Sequence, residues 1–368
     1  MGYAPAHADS EHQGILARVN RRLRTIALGA IPVIALTGLI SVDRIPGTSV
    51  SMTVPYAAEG PGPSFDTLSQ VNGQDVVSIS GAPVDKTEGT LNMTTVSVRH
   101  NLTLAQAMSR WLTTDDTLVP IEQIFPPNLT EGEVDEQNLQ AFSASESAAT
   151  LAAMRHLGKP VEVEIAGTQP QSPAEEEFKP GDRIVSVEGA RVTEPGQASD
   201  EVRKHKPGDT ITVGVKRDGK QKDIRAQLAE NPKEKGVPML GVLMKSVPAG
   251  KLEVDYHLED IGGPSAGLMF SMAVVDKLSD GHLNGGKKVF GTGTIEDDGS
   301  VGPVGGVVHK VQSAADMGAE VFLSPVENCS EAIARKHDGL TVISVDSLDD
   351  AIKQLDAYNR GEHYDTCK

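Results

Sequence analysis

A Gly-Gly-Pro-Ser-Ala-Gly turn at 262–267 and a Pro-Val-Gly-Gly-Val-Val-His-Lys segment at 303–310 supply the residue types of a serine–lysine nucleophile pair. A serine hydroxyl is a weak nucleophile until a base takes its proton. Ser265 stands on the Gly/Pro-rich turn that leads into Ala266–Leu278, an apolar run long enough for a buried helix. Backbone N–H groups at such a helix start are free to stabilise the oxyanion formed when a carbonyl is attacked, and Gly263, Pro264 and Ala266 shape this turn. Lys310 falls on a predicted helix, Val307–Met317. Its apolar neighbours Val307, Val308 and Val311 could lower its pKa by desolvation, as a general base requires. His309 is expected on another side of that helix, structural or solvent-facing, with no chemical role. Each piece also has a plain structural reading, because serine is a common N-cap and a lysine beside a glycine turn is usually solvated.

Together these segments resemble the proteolytic domain of the Lon family of serine peptidases, over roughly residues 237–358. The family's nucleophile motif reads here as Gly263, Pro264, Ser265, Ala266 and Gly267. Its Pro-Val/Ile-Gly-Gly segment, with the catalytic lysine four positions after the second glycine, reads as Pro303–Gly306 and then Lys310. Thr292 and Gly293 match the Thr-Gly pair that members carry on the strand between these motifs, which makes Thr292 a supporting residue of the site. The resemblance implies Ser265 as nucleophile and Lys310 as base of a Ser–Lys dyad. ATP-dependent members carry an acidic residue three positions before the serine. This chain has Gly262 there, and Asp260 is out of register, so it is given no catalytic role. No Gly-x-x-x-x-Gly-Lys-Ser/Thr phosphate loop occurs, so the sequence shows no nucleotide-driven motor and implies no cofactor.

Thr25–Val42 contains no charged residue, and eighteen residues of helix rise about 27 Å, close to a hydrocarbon core. Arg18, Arg21, Arg22 and Arg24 precede it and Asp43 follows. By the positive-inside rule this is an uncleaved single-pass anchor, with residues 1–24 cytoplasmic and everything after Asp43 extracytoplasmic. The formal net charge is −17; residues 1–24, with four arginines and two acidic residues, contribute +2 and leave −19 for the rest. So acidic a chain is a poor partner for nucleic acid and, apart from its anchor in the lipid, is repelled by anionic headgroups. The two cysteines, Cys329 and Cys367, could form one disulfide closing a 38-residue loop, worth about 4 kcal/mol in a chain-entropy picture. No Cys-x-x-Cys or His-Glu-x-x-His pattern suggests a metal.

Residues 44–157 read as a strand-rich membrane-proximal region, with strands at Ser49–Val54, Asp75–Ile79 and Met93–Val98, punctuated by Gly-Pro-Gly-Pro at 60–63. Leu102–Leu112 and Val134–Leu157 read as helices. Ser143, Ser145 and Ser147 fall on the second as surface residues, and Trp111, the only tryptophan, as a packing residue. Residues 158–230 change character: Lys-Pro-Gly-Asp, a β-branched strand, a polar helix near Gln197–Lys206, the strand Thr210–Val215 and an Arg-Asp-Gly-Lys hairpin at 217–220. This order resembles a PDZ domain of the bacterial protease-associated type, which implies a peptide or protein ligand added to a sheet edge. Its carboxylate-binding loop has only Ile165–Gly167 as a possible remnant; a structural spacer is the plain alternative. After a linker at 231–236, Met239–Met244 and Leu252–Leu258 read as strands leading to the nucleophile helix, and residues 359–368 as a C-terminal tail.

Anchor, PDZ-like module and Lon-type domain, in this order, resemble the YlbL-like membrane-anchored peptidases of bacteria. The expected architecture is multidomain α/β and α+β. The implied function is an ATP-independent serine endopeptidase of the cell membrane that hydrolyses extracytoplasmic proteins, with the PDZ-like module engaging substrate. Homo-oligomers are an expectation from the family. A catalytically inactive, membrane-tethered PDZ/Lon-like binding or scaffold protein is the alternative; an esterase or acyl-transfer activity is a third.

Overall fold

The structure is a computed structural model that describes residues 28–45, 47–170, 172–232, 234–258, 261–279 and 282–368. Along the chain run helix α1 (28–41), strands β1 (Tyr56–Asp66), β2 (Val77–Ser80) and β3 (Thr90–Arg99), and helix α2 (Leu104–Thr113). Then come β4 (Thr117–Pro120), α3 (Glu131–His156), β5 (Val161–Thr168), β6 (Arg183–Val187), α4 (Pro195–Arg203), β7 (Thr210–Arg217) and β8 (Lys220–Gln227). Next are β9 (Val242–Pro248), β10 (Glu253–Tyr256), α5 (Gly267–Leu278), β11 (Lys288–Gly291), β12 (Thr294–Ile295) and β13 (Val301–Gly302). The last are α6 (Val307–Asp316), β14 (Val321–Pro325), α7 (Cys329–Ala332), β15 (Thr341–Val345) and α8 (Leu348–Arg360).

The chain divides into two compact units. One comprises the described residues up to Gly60 together with Ser97–Thr130. In it Tyr56–Glu59 of β1 pair antiparallel with β4, and Val54, Ala58, Leu102, Ala107 and Leu118 form a small core. The expected strand Ser49–Val54 is reduced to isolated bridges, Arg44 with Ser51 and Thr53 with Thr103. Trp111 does not pack as expected: it is 66% exposed on α2. The Arg18–Arg24 cluster and residues 25–27 of the expected anchor lie outside the described residues; among those described, no helix is long and apolar enough to cross a membrane.

The second unit, Pro61–Val96 with Glu131–Lys368, is built on two large sheets, with smaller two-stranded ones beside them. In the first, β15, β14, β11 and β3 are parallel neighbours, with β1 beyond β3. Alternate residues of a strand point to opposite faces, and both faces are covered here. Leu91, Met93, Val289, Val321, Leu323 and Ile343 join α3, α5 and α8 in one core, while Phe290 and Phe322 join Val307, Val311 and Ala314 of α6 in another. That demand explains the near-continuous apolar runs of these strands. Gly-Pro-Gly-Pro (60–63), expected as a turn, is part of β1: Pro61 and Pro63 lie on the last strand of this unit's sheet, where a missing proline N–H costs no ladder bond. Gly62 is required there, because a Cβ would meet the Thr95 backbone at 2.7 Å.

The sequence reading separates 44–157 from 237–358, whereas the core joins them. Val76, Val77, Leu91, Met93, Phe142 and Ala149 are buried with helix α5, and β2 pairs with β10. The second sheet runs β8-β7-β6-β5-β9, with its own core under α4. Its last strand, β9, contains part of Met239–Met244, expected to belong to the final domain; residues 242–248 instead pair antiparallel with 161–168. This second sheet is thus inserted between α3 and β10, and its ends meet: Ala249 N donates to Pro160 O at 3.0 Å. Residues 359–368 are no loose tail. Cys367 is disulfide-bonded to Cys329 of α7, Thr366 bridges Ile343, and Tyr364 stacks edge-on to Tyr358.

A fragment of residues 237–368 lacks β1, β3 and α3 and is expected to show no cooperative urea unfolding. One of residues 61–368 contains the whole core plus the link at 97–130 and is expected to unfold cooperatively. Cooperative unfolding of the shorter fragment, followed by near-UV circular dichroism, would show that 61–96 and 131–157 are dispensable.

Candidate active site

Parallel strand β11 ends at Gly291, and the next residue, Thr292, stands at the carboxyl edge of the sheet, where its N–H donates to Leu323 O at 3.2 Å. Helix α5 reaches this edge from one face and α6 from the other, the usual place for a site in an open parallel sheet. Ser265 lies in a single 3-10 turn, Pro264–Ala266, that opens α5; Pro264 suits a first helical position, where its missing N–H would be unpaired in any case. Gly263 before it has φ +88°, a conformation costly for a residue with a Cβ. The amides that follow belong to the first helical turn, where no preceding carbonyl of the helix can reach them.

Gly306 caps α6 with φ +66° and lies too close to Val96 to carry a side chain; its carbonyl accepts from the amides of His309 and Lys310. That turn aims Lys310 inward. Its Nζ lies 2.8 Å from Ser265 Oγ and donates to Thr292 Oγ1 at 2.9 Å, while Thr292 Oγ1 donates to Ser265 O at 3.1 Å. Lys310 is 3% exposed. Burial lowers its pKa to about 8, against a smaller opposing pull from the Glu331 carboxylate. His309 is fully buried, so of its two expected placements the structural one holds. A cleft of about 690 Å³ opens over the pair, walled by Phe65, Met93 and Phe142 on one side and Pro303–Gly305 on the other. Asp260 lies outside the described residues.

Helix α3 fixes the serine turn from behind. Asn138 O accepts from Gly263 N at 2.8 Å, and Ser145 Oγ donates to Pro264 O at 3.0 Å. Gly267 must be glycine because a Cβ would meet Ser145 Oγ at 2.7 Å and Ile295 at 2.5 Å. The sequence reading left Ser145 on a helix surface with Ser143 and Ser147; those two are exposed, but Ser145 is buried. The signal was its spacing with Phe142, Ala149, Ala152 and Ala153, which together trace one helical face.

The second sheet offers a peptide-sized edge. Strand β9 is its last strand and lies beside α4, following a Leu240–Gly241 turn. Gly241, at φ +77°, accepts from Gln169 N at 2.8 Å and from Ser172 Oγ at 3.2 Å, and a Cβ would strike Ser172. The expected remnant Ile165–Gly167 is instead an interior part of the sheet, with Ile165 buried. The other end of β9 lies against Glu146–Leu151 of α3 across a cavity of about 340 Å³.

Comparison with known proteins finds two domain families on this chain, with bounds that differ from those of the sheets. Residues 139–228 match the family model for the PDZ domain, and residues 254–356 that for the Lon protease (S16) C-terminal proteolytic domain. Lon protease 2 of Bacillus subtilis is 30% identical over 95 residues, 26% of this chain and 17% of that protein. The archaeal Lon protease of Methanothermobacter thermautotrophicus is 29% identical over 97 residues, 26% of this chain and 15% of that protein. Among solved structures, the PDZ domain of an SdrC-like protein from Listeria monocytogenes is 23% identical and covers 22% of this chain and 85% of that one, with a TM-score of 0.21. The match thus spans less than a fifth of either Lon relative, confined to its proteolytic part. The chain joins a PDZ domain to a Lon-type serine peptidase domain.

Because its folded pKa lies below the ordinary lysine value, Lys310 binds fewer protons folded than unfolded, so stability rises with pH from about 8 toward the ordinary lysine range. Lys310→Met removes that burden. It is expected to be the more stable protein at pH 7, by up to about 3 kcal/mol, with the gap narrowing as the pH rises past 8. Urea titrations at several pH values measure this; an equal or lower midpoint at pH 7 contradicts it.

Proposed function

We propose that this chain is a membrane-anchored, ATP-independent serine endopeptidase in which Ser265 is the nucleophile and Lys310 its general base. The observation that carries the reading is a buried amine 2.8 Å from a serine hydroxyl on a helix-opening turn. Neutral Lys310 takes the Ser265 proton as Oγ attacks the scissile carbonyl. The amides that open α5 receive the oxyanion, Leu268 N excepted, since it already donates to Gly293 O at 3.2 Å. The ammonium form of Lys310 then gives its proton to the leaving amine, and the neutral amine activates the water that releases the acyl group. Thr292 holds the amine in line by accepting its N–H while anchoring to the serine carbonyl. A scaffold protein would have no use for an amine kept dry beside a hydroxyl.

Substrate polypeptides dock by adding a strand to β9, in the manner of PDZ domains. Helix α3 touches both places, so one element links β9 to the turn of Ser265. An extracytoplasmic location of the catalytic part is supported by the Cys329–Cys367 disulfide, which persists in oxidising compartments, and by the apolar segment 25–42 after an arginine cluster.

Ser265→Ala and Lys310→Arg are each expected to lower peptide cleavage at least about a thousandfold with the fold retained, since guanidinium cannot surrender its proton near neutrality. Wild-type kcat/KM should climb with pH through about 8, without ATP or metal. Wild-type turnover by purified Lys310→Arg across that range would disprove the dyad.

Residues 160 and 249 are neighbours, so 161–248 can be replaced by a short Gly/Ser linker. That excision is expected to cut turnover of an unfolded protein substrate about tenfold or more, and to leave cleavage of a small peptide within a few-fold. Equal losses on both substrates would assign the inserted domain a structural role instead.

A further inference from the structure

Helix α2 carries two apolar faces, and only one is used. Ala107 packs inward with Ala58 and Leu102. Leu104, Met108, Trp111 and Leu112 are spaced at i, i+4, i+7 and i+8, and all four are exposed, the last two at 66% each. This spacing puts them on one stripe of the helix. A helix of ten residues with so much uncovered apolar surface, tryptophan included, needs an apolar neighbour.

Backbone hydrogen bonds say where that neighbour is. Asp43, the first charged residue after the apolar segment 25–42, accepts from Met52 N at 2.8 Å, and Ile45 N donates to Val50 O at 3.1 Å, so the chain folds back on itself at once. Thr53, the residue after Met52, bridges Thr103, and Val54 N donates to Leu102 O at 2.9 Å. Thr103 is the N-cap of α2, where its side chain accepts from Gln106 N in a capping box. The start of α2 is therefore bonded, within one fold-back, to the end of the segment 25–42. The exposed apolar side chains of α1, Leu28, Ile31, Ile34 and Leu36 among them, belong to that same segment.

We propose that α2 is a membrane-surface helix whose Leu104–Met108–Trp111–Leu112 stripe sinks into the headgroup–acyl boundary of the leaflet from which the anchor emerges. This rests on the anchor of the proposed function. The occupant is lipid and not an acidic or basic partner. Arg110, the cation on the helix, is already paired with Asp116 at 3.1 Å, and the stripe itself is uncharged. Insertion is thus driven by apolar area, and tryptophan favours the interface because its ring is apolar and its N–H polar. The consequence is orientation: a second contact beside the anchor stops the unit from swinging freely about a single tether.

Trp111 is the only tryptophan, so it reports on itself. The full chain is reconstituted into phosphatidylcholine vesicles with ordinary or acyl-brominated chains, and vesicle association is scored separately by flotation. The proposal expects flotation, Trp111 emission strongly quenched by brominated lipid, little quenching by aqueous iodide, and no change when salt is raised. In Met108→Ser/Leu112→Ser, which leaves Ala107 and the capping box in place, flotation should persist while iodide gains access to Trp111. Flotation with iodide quenching and no bromine quenching overturns the surface helix and leaves the anchor standing. No flotation overturns both. Shielding from both quenchers that depends on the protein-to-lipid ratio makes the occupant a second copy of the chain, and also overturns the proposal.

Discussion

A lysine amine kept out of water beside a serine hydroxyl sets the terms for everything around it. An ammonium group is stable in water and costly in an apolar interior, so the site works only if both layers of the sheet stay closed over Lys310. Val307 and Val311 flank it on α6, the β-branched strands of the parallel sheet carry the helices that enclose it, and Thr292 gives its N–H a partner. The burden on stability is the same interaction that makes the amine a base near neutral pH. A chain optimised for stability alone would place an apolar residue there.

The serine side of the pair depends on a helix far from it in sequence. Asn138 and Ser145 of α3 hold the turn that presents Ser265, and the close approach of α3 to α5 leaves room only for glycine at position 267. The same helix meets the edge strand of the inserted domain a turn later. An insertion between α3 and β10 is tolerated because its first and last residues are hydrogen-bonded neighbours, so the host core never has to open. The arrangement puts the edge strand of the inserted domain and the turn of Ser265 on neighbouring turns of one helix.

The disulfide ties the last residues of the chain to α7, which packs on α6. In a chain-entropy view its effect falls on the unfolded state, by limiting the freedom of the segment between the two cysteines. In the folded state it keeps the C-terminal residues paired beside β15.

The sequence by itself determined which side chains to look for. Ser265 and Lys310 stand on a Gly/Pro turn and a glycine-capped helix, features written within a few consecutive residues, and the motif resemblance added Thr292. The structure brings the three together. The cysteine pairing followed from there being only two, and most helices and the central strands of both domains from their periodicity. Tertiary structure decided what the periodicity leaves open, namely which faces meet. Ser145 and Trp111 show it in opposite senses: one, read as surface, is buried against the active-site turn; the other, read as core, stands in the open. Residues 61–96 and 131–157 read as a separate region because a parallel sheet pairs strands from distant parts of the chain, as Thr90–Met93 pair with Lys288–Gly291, and no local pattern records the partner. Residues 242–248 went to the wrong domain for the same reason. A strand's composition shows that it must be paired, and only the folded chain shows with what.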